Sequence, residues 1–449
     1  MGSDAKPLVV IGCTPIQGHL MPIRVIAKEL VERGYGVTIV CASHWRKAIE
    51  DIGCDFVAIK GYGDWHDGML HGIDAKWPER NKLPPGPVQL AFDIEHCFVR
   101  SIPSQHEAMQ EALKILTEKH PGRPIVQVNE SVFEGGLPIS RGAPGIKPAG
   151  TLGIGVIPMT LSSIDLPPFG PGLPPDTTPE GREKNKAMTE HVTNVVLAAP
   201  QKAFVECLEQ VGAKCDAFMF DAMYLYPDRF LQMCSPHAEY PRSDAPSSIR
   251  FAGGLGKGKR DAAEMPVWWQ DVLNTKNKKI VAISQGSLAM NFAELIIPTM
   301  EALKDRDDIL VVVALGKRGA SLAEGVSVPA NARVADFIPF DEMLPHSSLF
   351  ITNGGYGAFQ HAISNGTPVI VAGTSEDKPE VAARIEWCGI GINLRTAAPT
   401  QEAIHNAVDE ILGNPKYKKR AMEMEAEMGS FDPIGVVAKN IDELAAGVQ

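Results

Sequence analysis

A chain of 449 residues has room for two or three domains, each with its own core. Hydrophobic residues make up 44% and charged residues 22%, as in ordinary water-soluble globular proteins, and a net charge of −11 argues against a polyanionic partner such as nucleic acid. The eight cysteines (Cys13, Cys41, Cys54, Cys97, Cys207, Cys215, Cys234 and Cys388) show neither CxxC nor metal-ligand spacing, and read most simply as buried thiols in a reducing compartment.

Pro7 to Cys13 is a continuous apolar run, which fits a buried parallel strand and is far too short for a signal-peptide core. The turn Thr14-Pro15-Ile16-Gln17-Gly18-His19 follows. A helix then runs from Pro22 to Arg33 on an apolar stripe of Ile23, Ile26, Ala27 and Leu30, and Gly34 ends it. Tyr35 to Cys41 is a second strand and, after another helix, Asp55 to Ile59 a third, so the chain opens as a doubly wound α/β unit. Residues 60–100 are irregular, with Trp65, His66, His71 and Trp77. Ser104 to His120 reads as a helix and Arg123 to Val128 as a strand. From Pro138 to Pro179 proline and glycine are dense, a loop that either lines a pocket or lies in solvent.

Residues 235–247, rich in proline, serine and charge, read as a linker. Beyond it strands and helices alternate again. Ile249 to Ala252 and Ile280 to Ser284 are strands, Gln285-Gly286-Ser287 opens a helix through Leu303, and strands follow at Ile309 to Ala314, Val334 to Ile338, Leu349 to Thr352 and Pro368 to Ala372. No segment approaches the roughly 20 apolar residues that span a bilayer. No integral membrane segment is expected, and the expected location is cytoplasmic.

The stretch from Phe350 to Arg384 is the most informative. Its first strand ends in Asn353-Gly354-Gly355-Tyr356-Gly357, and a helix begins near Ala358. Glycines at such a turn let backbone N–H groups approach a ligand, and a helix N-terminus adds partial positive charge, which together make a phosphate seat. After the next strand come Asp377-Lys378-Pro379-Glu380. Polar groups just past a strand end are where ligands sit in open α/β sheets, and a cleft between two such domains is the natural site.

These residues resemble the nucleotide-sugar signature of the family 1 UDP-glycosyltransferases, of the soluble bacterial and fungal type. The family has a His-Gly-Gly-Trp-like turn, a Gly-x-Pro, and an Asp-Gln pair followed by Pro-Glu-Asn-Ala. This chain has Asn353-Gly354-Gly355-Tyr356, Gly366-Thr367-Pro368, and Asp377-Lys378 followed by Pro379-Glu380. It departs at Asn353 (His in the family), at Lys378 (Gln), and at His361, where a Glu often binds ribose. The resemblance runs from the first strand to the last helix and is most specific between Asp336 and Arg395. It implies the GT-B fold, in which two Rossmann-like doubly wound domains face each other across a cleft. Residues 1–234 would bind the acceptor and 248–430 the UDP-sugar, with a C-terminal helix in 431–449 returning to the first domain.

The resemblance makes His19 the general base, since imidazole, with a pKa near neutrality, suits taking a proton from an attacking hydroxyl. By itself, a histidine there is more readily a capping or packing residue. Glu130 aligns with the Asp that orients the base, one methylene further back; a plain surface carboxylate is nearly as good a reading, and Asp93 is a weaker rival. Phe337 and Ile338 align with the Trp-x-Pro-Gln segment whose ring stacks on uracil, against the alternative of a core phenylalanine. Ser287 would bond the diphosphate and could equally cap a helix. Gly18, Asn353, Gly354, Gly355, Tyr356, Gly357, Ala358 and His361 complete the implied donor contacts. Asp377 would accept hydrogen bonds from sugar hydroxyls, or cap the helix through Arg384. Lys378 offers only donors and would meet sugar oxygens, a phosphate or a carboxylated sugar.

Two other motifs fail. Gly253 to Arg260 nearly spells a P-loop, but Arg260 stands where a Ser or Thr must hold magnesium. Asp305-Arg306-Asp307 resembles a metal-binding Asp-x-Asp, yet lies where a charged turn is the simpler account. Neither a cofactor nor a metal is therefore expected, and the leaving UDP would be stabilised by the glycine turn, Ser287 and the helix dipole. The expected reaction is inverting, metal-independent transfer of a hexose, glucose foremost, from a UDP-sugar to a hydroxyl of a small lipophilic acceptor such as a phenolic, flavonoid or polyketide. The rivals are a sugar-nucleotide epimerase of the same fold and a catalytically silent sugar-nucleotide-binding protein.

Overall fold

The computed structural model describes residues 5–66, 77–84, 86–255, 264–287 and 289–448; His71 and Gly256 to Arg260 of the near P-loop lie outside them. The apolar runs become parallel strands, since a strand covered on both faces needs no polar alternation. β1 (Leu8–Gly12), β2 (Gly36–Cys41), β3 (Asp55–Ala58), β4 (Ile125–Glu130), β5 (Gly150–Gly155), β6 (Arg229–Gln232) and β7 (Ile249–Phe251) form one sheet in the order β3-β2-β1-β4-β5-β6-β7. β8 (Lys279–Ser284), β9 (Ile309–Ala314), β10 (Ala332–Ala335), β11 (Leu349–Thr352), β12 (Val369–Val371) and β13 (Gly391–Asn393) form the second, in the order β10-β9-β8-β11-β12-β13. Each order reverses once, between β1 and β4 and between β8 and β11. At such a switch point the crossovers leave to opposite faces and open a crevice at the carboxyl ends of the strands.

Several elements differ from the sequence reading. The first helix starts at Gln17, not Pro22, and runs to Glu32 with Pro22 inside it, so His19 lies in its first turn. Pro22 is tolerated there because its missing N–H forfeits only the bond to the Gly18 carbonyl. The loop expected from Pro138 to Pro179 contains β5, fully buried between β4 and β6. Its glycines disguise it, and they are required by close packing: a Cβ at Gly150 would lie 2.9 Å from Leu444 and one at Gly153 would lie 2.4 Å from Phe230. The strand expected to open the second domain, Ile249–Phe251, pairs with β6 and closes the first sheet instead.

The helix Pro433–Ala445 packs on the first sheet. Its buried stripe of Ile434, Val437, Ala438, Ile441 and Leu444 shares one core with Val9 and Ile11 of β1 and Val126 and Val128 of β4. Asp432 caps it by accepting the Gly435 N–H at 2.9 Å. Among the described residues no helix is long and apolar enough to cross a membrane.

β1 and β4 run in register from Leu8 opposite Ile125 to Gly12 opposite Asn129, and β4 runs one residue further, to Glu130, at the switch point. The buried ring of Phe133 covers their ends and fills the space beside Gly12, where a Cβ would lie 2.3 Å from the ring. Gly12→Ala should therefore destabilise the fold by about 1–3 kcal/mol through overpacking. The check is a lower Tm and denaturant midpoint than wild type.

Candidate functional site

At the first switch point the chain brings two titratable groups together from 111 positions apart: His19 Nδ1 lies 2.9 Å from Glu130 Oε1. Glu130 is the last residue of β4 and wholly buried, while the His19 side chain is 16% exposed. The carboxylate is held from several sides. Its Oε1 also accepts the Ser131 hydroxyl at 3.0 Å and the Val132 N–H at 3.1 Å, and its Oε2 accepts the Thr14 N–H at 3.4 Å. An ionised carboxylate only accepts, so Nδ1 of His19 carries its proton toward Glu130 and Nε2 is left as the basic nitrogen.

Burial pulls the His19 pKa down, but the charge of Glu130, the hydrogen bond to it and the charge of Asp377 outweigh burial, and the net shift is upward. Burial likewise pushes Glu130 up, and the His19 charge, the same hydrogen bond and the Val132 N–H bring it below its ordinary value. Asp93 is no rival: both its oxygens are taken by Arg80, at 2.6 and 2.7 Å.

The second switch point gathers the turns that follow β8, β9, β11 and β12. A Cβ at Gly316 would lie 2.1 Å from the Gly286 carbonyl, and one at Gly373 would lie 1.9 Å from the Asn353 carbonyl, so backbones meet there directly. Gly354 adopts φ +89°, which favours glycine, and Gly355 is the N-cap of the helix Tyr356–Ser364. A Cβ on Gly355 or Gly357 would meet nothing within 4 Å, so this helix start faces open space with its first N–H groups unpaired within the helix. That is the geometry of an anion seat.

The structure redistributes some expected donor contacts. The helix begins at Tyr356 rather than Ala358, and Ala358 is buried in its first turn. The Tyr356 ring is buried too; its hydroxyl accepts from Gln232 Nε2 of the first domain at 3.2 Å, so the side chain bridges the domains. Ile338 is core, 2% exposed, because β10 ends at Ala335 and the chain turns inward past Phe337. Ser287 opens no helix: the next one starts at Ile296, and Ser287 lies in the half-buried turn after β8. Lys378 is engaged by Glu376 and by the Ser375 hydroxyl at 3.1 Å.

Phe337 stands half-buried, with the Arg318 guanidinium 4.9 Å from its ring centroid. Asp336 fixes both, accepting the Phe337 N–H through Oδ1 and the Gly319 N–H through Oδ2, each at 2.7 Å. His361 Nδ1 lies 2.7 Å from Asp341 Oδ1, and the His361 ring stands edge-on to Phe340. Arg306 of the Asp305-Arg306-Asp307 turn pairs with Asp308 and Asp409.

Asp377 occupies the N-cap position of the helix Lys378–Cys388, yet its side chain makes no capping hydrogen bond. Burial raises its pKa, opposed by the charges of Lys378 and His19. The carboxylate of the second domain thus stands in the electrostatic neighbourhood of the imidazole of the first. The sequence reading missed what holds them there. Arg384, fully buried, pairs with Glu239, in the segment between β6 and β7, at 2.6 Å and with Glu380 at 2.8 Å. A charged residue at helical spacing inside an otherwise apolar stretch, as Arg384 is after Val381 and Ala382, was the one available signal.

Residues 298–444 match the sequence model of the erythromycin biosynthesis protein CIII-like C-terminal domain. The whole chain is 41% identical over 453 residues to UDP-glycosyltransferase 2 of Phaeomoniella chlamydospora, covering 99% of this chain and 97% of that protein. It is 38% identical over 445 residues to UDP-glucosyltransferase A1 of Starmerella bombicola, covering 99% and 94%. Among solved structures, the glycosyltransferase of kitacinnamycin superposes with a TM-score of 0.71 at 19% identity, over 98% of this chain and 99% of that one. The calicheamicin glycosyltransferase CalG4 gives 0.69 at 18%, over 98% of both chains. Together with the two parallel sheets, these neighbours make the fold GT-B.

The coupled pair sets a pH dependence. A raised His19 contributes stability that is full below its ordinary 6.5 and lost as pH rises through its folded value. A lowered Glu130 contributes stability that is present above its ordinary 4.5 and lost as pH falls through its folded value. The Tm deficit of Glu130→Gln relative to wild type should therefore be greatest between pH 4.5 and 6.5 and shrink above that window. Thermal melts across pH, with a histidine NMR titration of both proteins, check this.

Proposed function

The chain belongs to the family 1 UDP-glycosyltransferases, and on that premise we propose that it transfers glucose from UDP-glucose to a hydroxyl of a small lipophilic acceptor, with inversion at the sugar C1 and without a metal. The observation that carries this reading is the 2.9 Å contact between His19 and buried Glu130 at the first switch point, with the charge of Asp377 of the other domain acting on the imidazole. The epimerase and silent-binder readings find no comparable support: relatives over nearly the full length are named glycosyl- and glucosyltransferases.

In the proposed reaction Nε2 of His19 takes the hydroxyl proton as the acceptor oxygen bonds to C1. The C1–O bond to the diphosphate breaks with its electron pair, and UDP leaves. A single displacement inverts C1. Glu130 stabilises the imidazolium, a role that needs a carboxylate held in place and ionised. The open helix start at Gly355 to Gly357 and the turn bearing Ser287 receive the charge growing on the diphosphate. Phe337, steadied by Arg318, offers its other face to the uracil, and Asp377 takes the sugar hydroxyls. Glucose is favoured by the names of the full-length relatives. A lipophilic acceptor is favoured by the apolar wall beside the base, where Ile16 packs with Trp65 and Cys97, and Trp77 and Phe98 lie against them.

Wild-type protein incubated with UDP-glucose and a panel of phenols should yield products heavier by one hexose, read by mass spectrometry. His19→Ala should lower kcat by roughly 10²- to 10⁴-fold, the usual cost of losing a general base, while UDP affinity measured by calorimetry holds. His19→Ala turnover close to wild type would sink the assignment. Metal independence is part of the same proposal, with the open helix start at Gly355 to Gly357 offered in place of a cation for the leaving diphosphate. EDTA should leave the rate unchanged; a loss restored by magnesium or manganese would refute this.

A further inference from the structure

The helix Lys378–Cys388 begins at the proposed sugar-binding carboxylate, and its first turn is fastened from the other domain. Glu380 is buried, 4% exposed, and both its oxygens are used. Oε1 accepts the backbone N–H groups of Gly170 and Gly172, at 2.7 and 2.9 Å, and Oε2 takes Nη1 of Arg384 at 2.8 Å. Gly170 and Gly172 belong to the proline- and glycine-rich segment of the first domain. Gly172 has φ +64°, and a Cβ on it would lie 2.3 Å from the Pro379 carbonyl oxygen. That segment therefore lies backbone-to-backbone on the residue two places beyond Asp377. One turn later Arg384 reaches Glu239, whose Oε2 accepts the Met159 N–H at 2.9 Å.

Two attachments thus tie one helix of the donor domain to the acceptor domain, and the nearer to the cleft is Glu380. Only a carboxylate can serve it fully, because one oxygen must accept two N–H groups while the other faces a guanidinium. We propose that Glu380 is a positioning residue for glycosyl transfer: by holding Gly170 and Gly172 against Pro379, it sets the separation between His19 and Asp377 across the cleft. The proposal rests on the reading of the previous subsection. A misplacement of about 1 Å between a base and a bound sugar is enough to cost roughly 10²-fold in rate while leaving the nucleotide's own contacts intact.

The test compares wild type, Glu380→Ala, Glu380→Gln and Gly172→Ala for kcat, UDP-glucose KM, UDP Kd, and amide hydrogen exchange at Gly170 and Gly172. Glu380→Ala should lower kcat roughly 10- to 100-fold, keep KM and Kd within about threefold, and speed exchange at both glycines. Glu380→Gln, whose single amide oxygen can still receive the two N–H groups, should recover part of kcat and of the protection. Gly172→Ala attacks the same contact from the other side, and decides by the same readouts if Glu380→Ala does not fold. Its combination with Glu380→Gln should lose less than the product of the two single losses, as expected for one shared contact. The proposal is overturned if kcat holds while exchange speeds, if donor affinity falls in step with kcat, or if the losses multiply. A wild type that transfers no hexose overturns the functional reading itself, which is distinct from an active wild type with indifferent variants.

Discussion

The structure depends on a guanidinium sealed between two carboxylates. Arg384, Glu239 and Glu380 are all withdrawn from water, so each charge relies on the others and on the N–H groups around them. Removing one partner from such a cluster typically costs 3–5 kcal/mol, roughly, because a buried charge is left uncompensated. Glu239 lies in the segment between β6 and β7 and also accepts the Met159 N–H of the first domain, while Arg384 belongs to the second. Tyr240 adds its ring face beneath the guanidinium, 4.5 Å from its centroid. The cleft is therefore bounded by an attachment with directional chemistry, and the groups on either side of it inherit their separation from that attachment.

The two domains use one architectural device twice. A parallel sheet whose strand order reverses leaves an unfilled crevice at the reversal, and this chain places its chemistry at both. In the first sheet the crevice receives an imidazole and the buried carboxylate bonded to it; in the second it receives a glycine turn and a helix start. Glycine serves each differently. Around Gly316 and Gly373 it lets backbones touch, which stacks the turns into one wall. At Gly355 and Gly357 it leaves backbone N–H groups uncovered, which makes that wall attractive to an anion.

Much of this was legible in the residues. Continuous apolar runs marked most strands of both sheets, though not β5, β6 or β13, and the glycines of Asn353 to Gly357 marked the turn into the next helix. The pairing of His19 with Glu130 followed from matching a strand end to a family pattern, since nothing local in Pro124 to Glu130 says that its last carboxylate is buried. What stayed hidden had physical reasons. β5 reads as loop because its glycines answer to Leu444 and Phe230, partners far along the chain. β7 looks like the opening of a new domain because a linker-like composition precedes it, whereas sheet membership is decided by pairing with β6. Ile338 and Tyr356 sit in motifs of the right kind, yet their side chains turn into the core and toward the other domain, and short-range sequence carries no sign of such direction. Glu239 was invisible for the same reason.

The closing helix Pro433–Ala445 has a consequence for how the molecule is made. Its Ile434, Val437, Ile441 and Leu444 fill the core over β1 and β4, strands that leave the ribosome more than 300 residues earlier. Domains generally fold as units with the N-terminal one first, but here the N-terminal sheet keeps an apolar face uncovered until residues 433–445 have been made. The nascent chain thus carries an uncovered apolar surface throughout synthesis of the second domain. A chain lacking residues 433–445 would therefore be damaged in the half of the protein made first, whose core those residues complete.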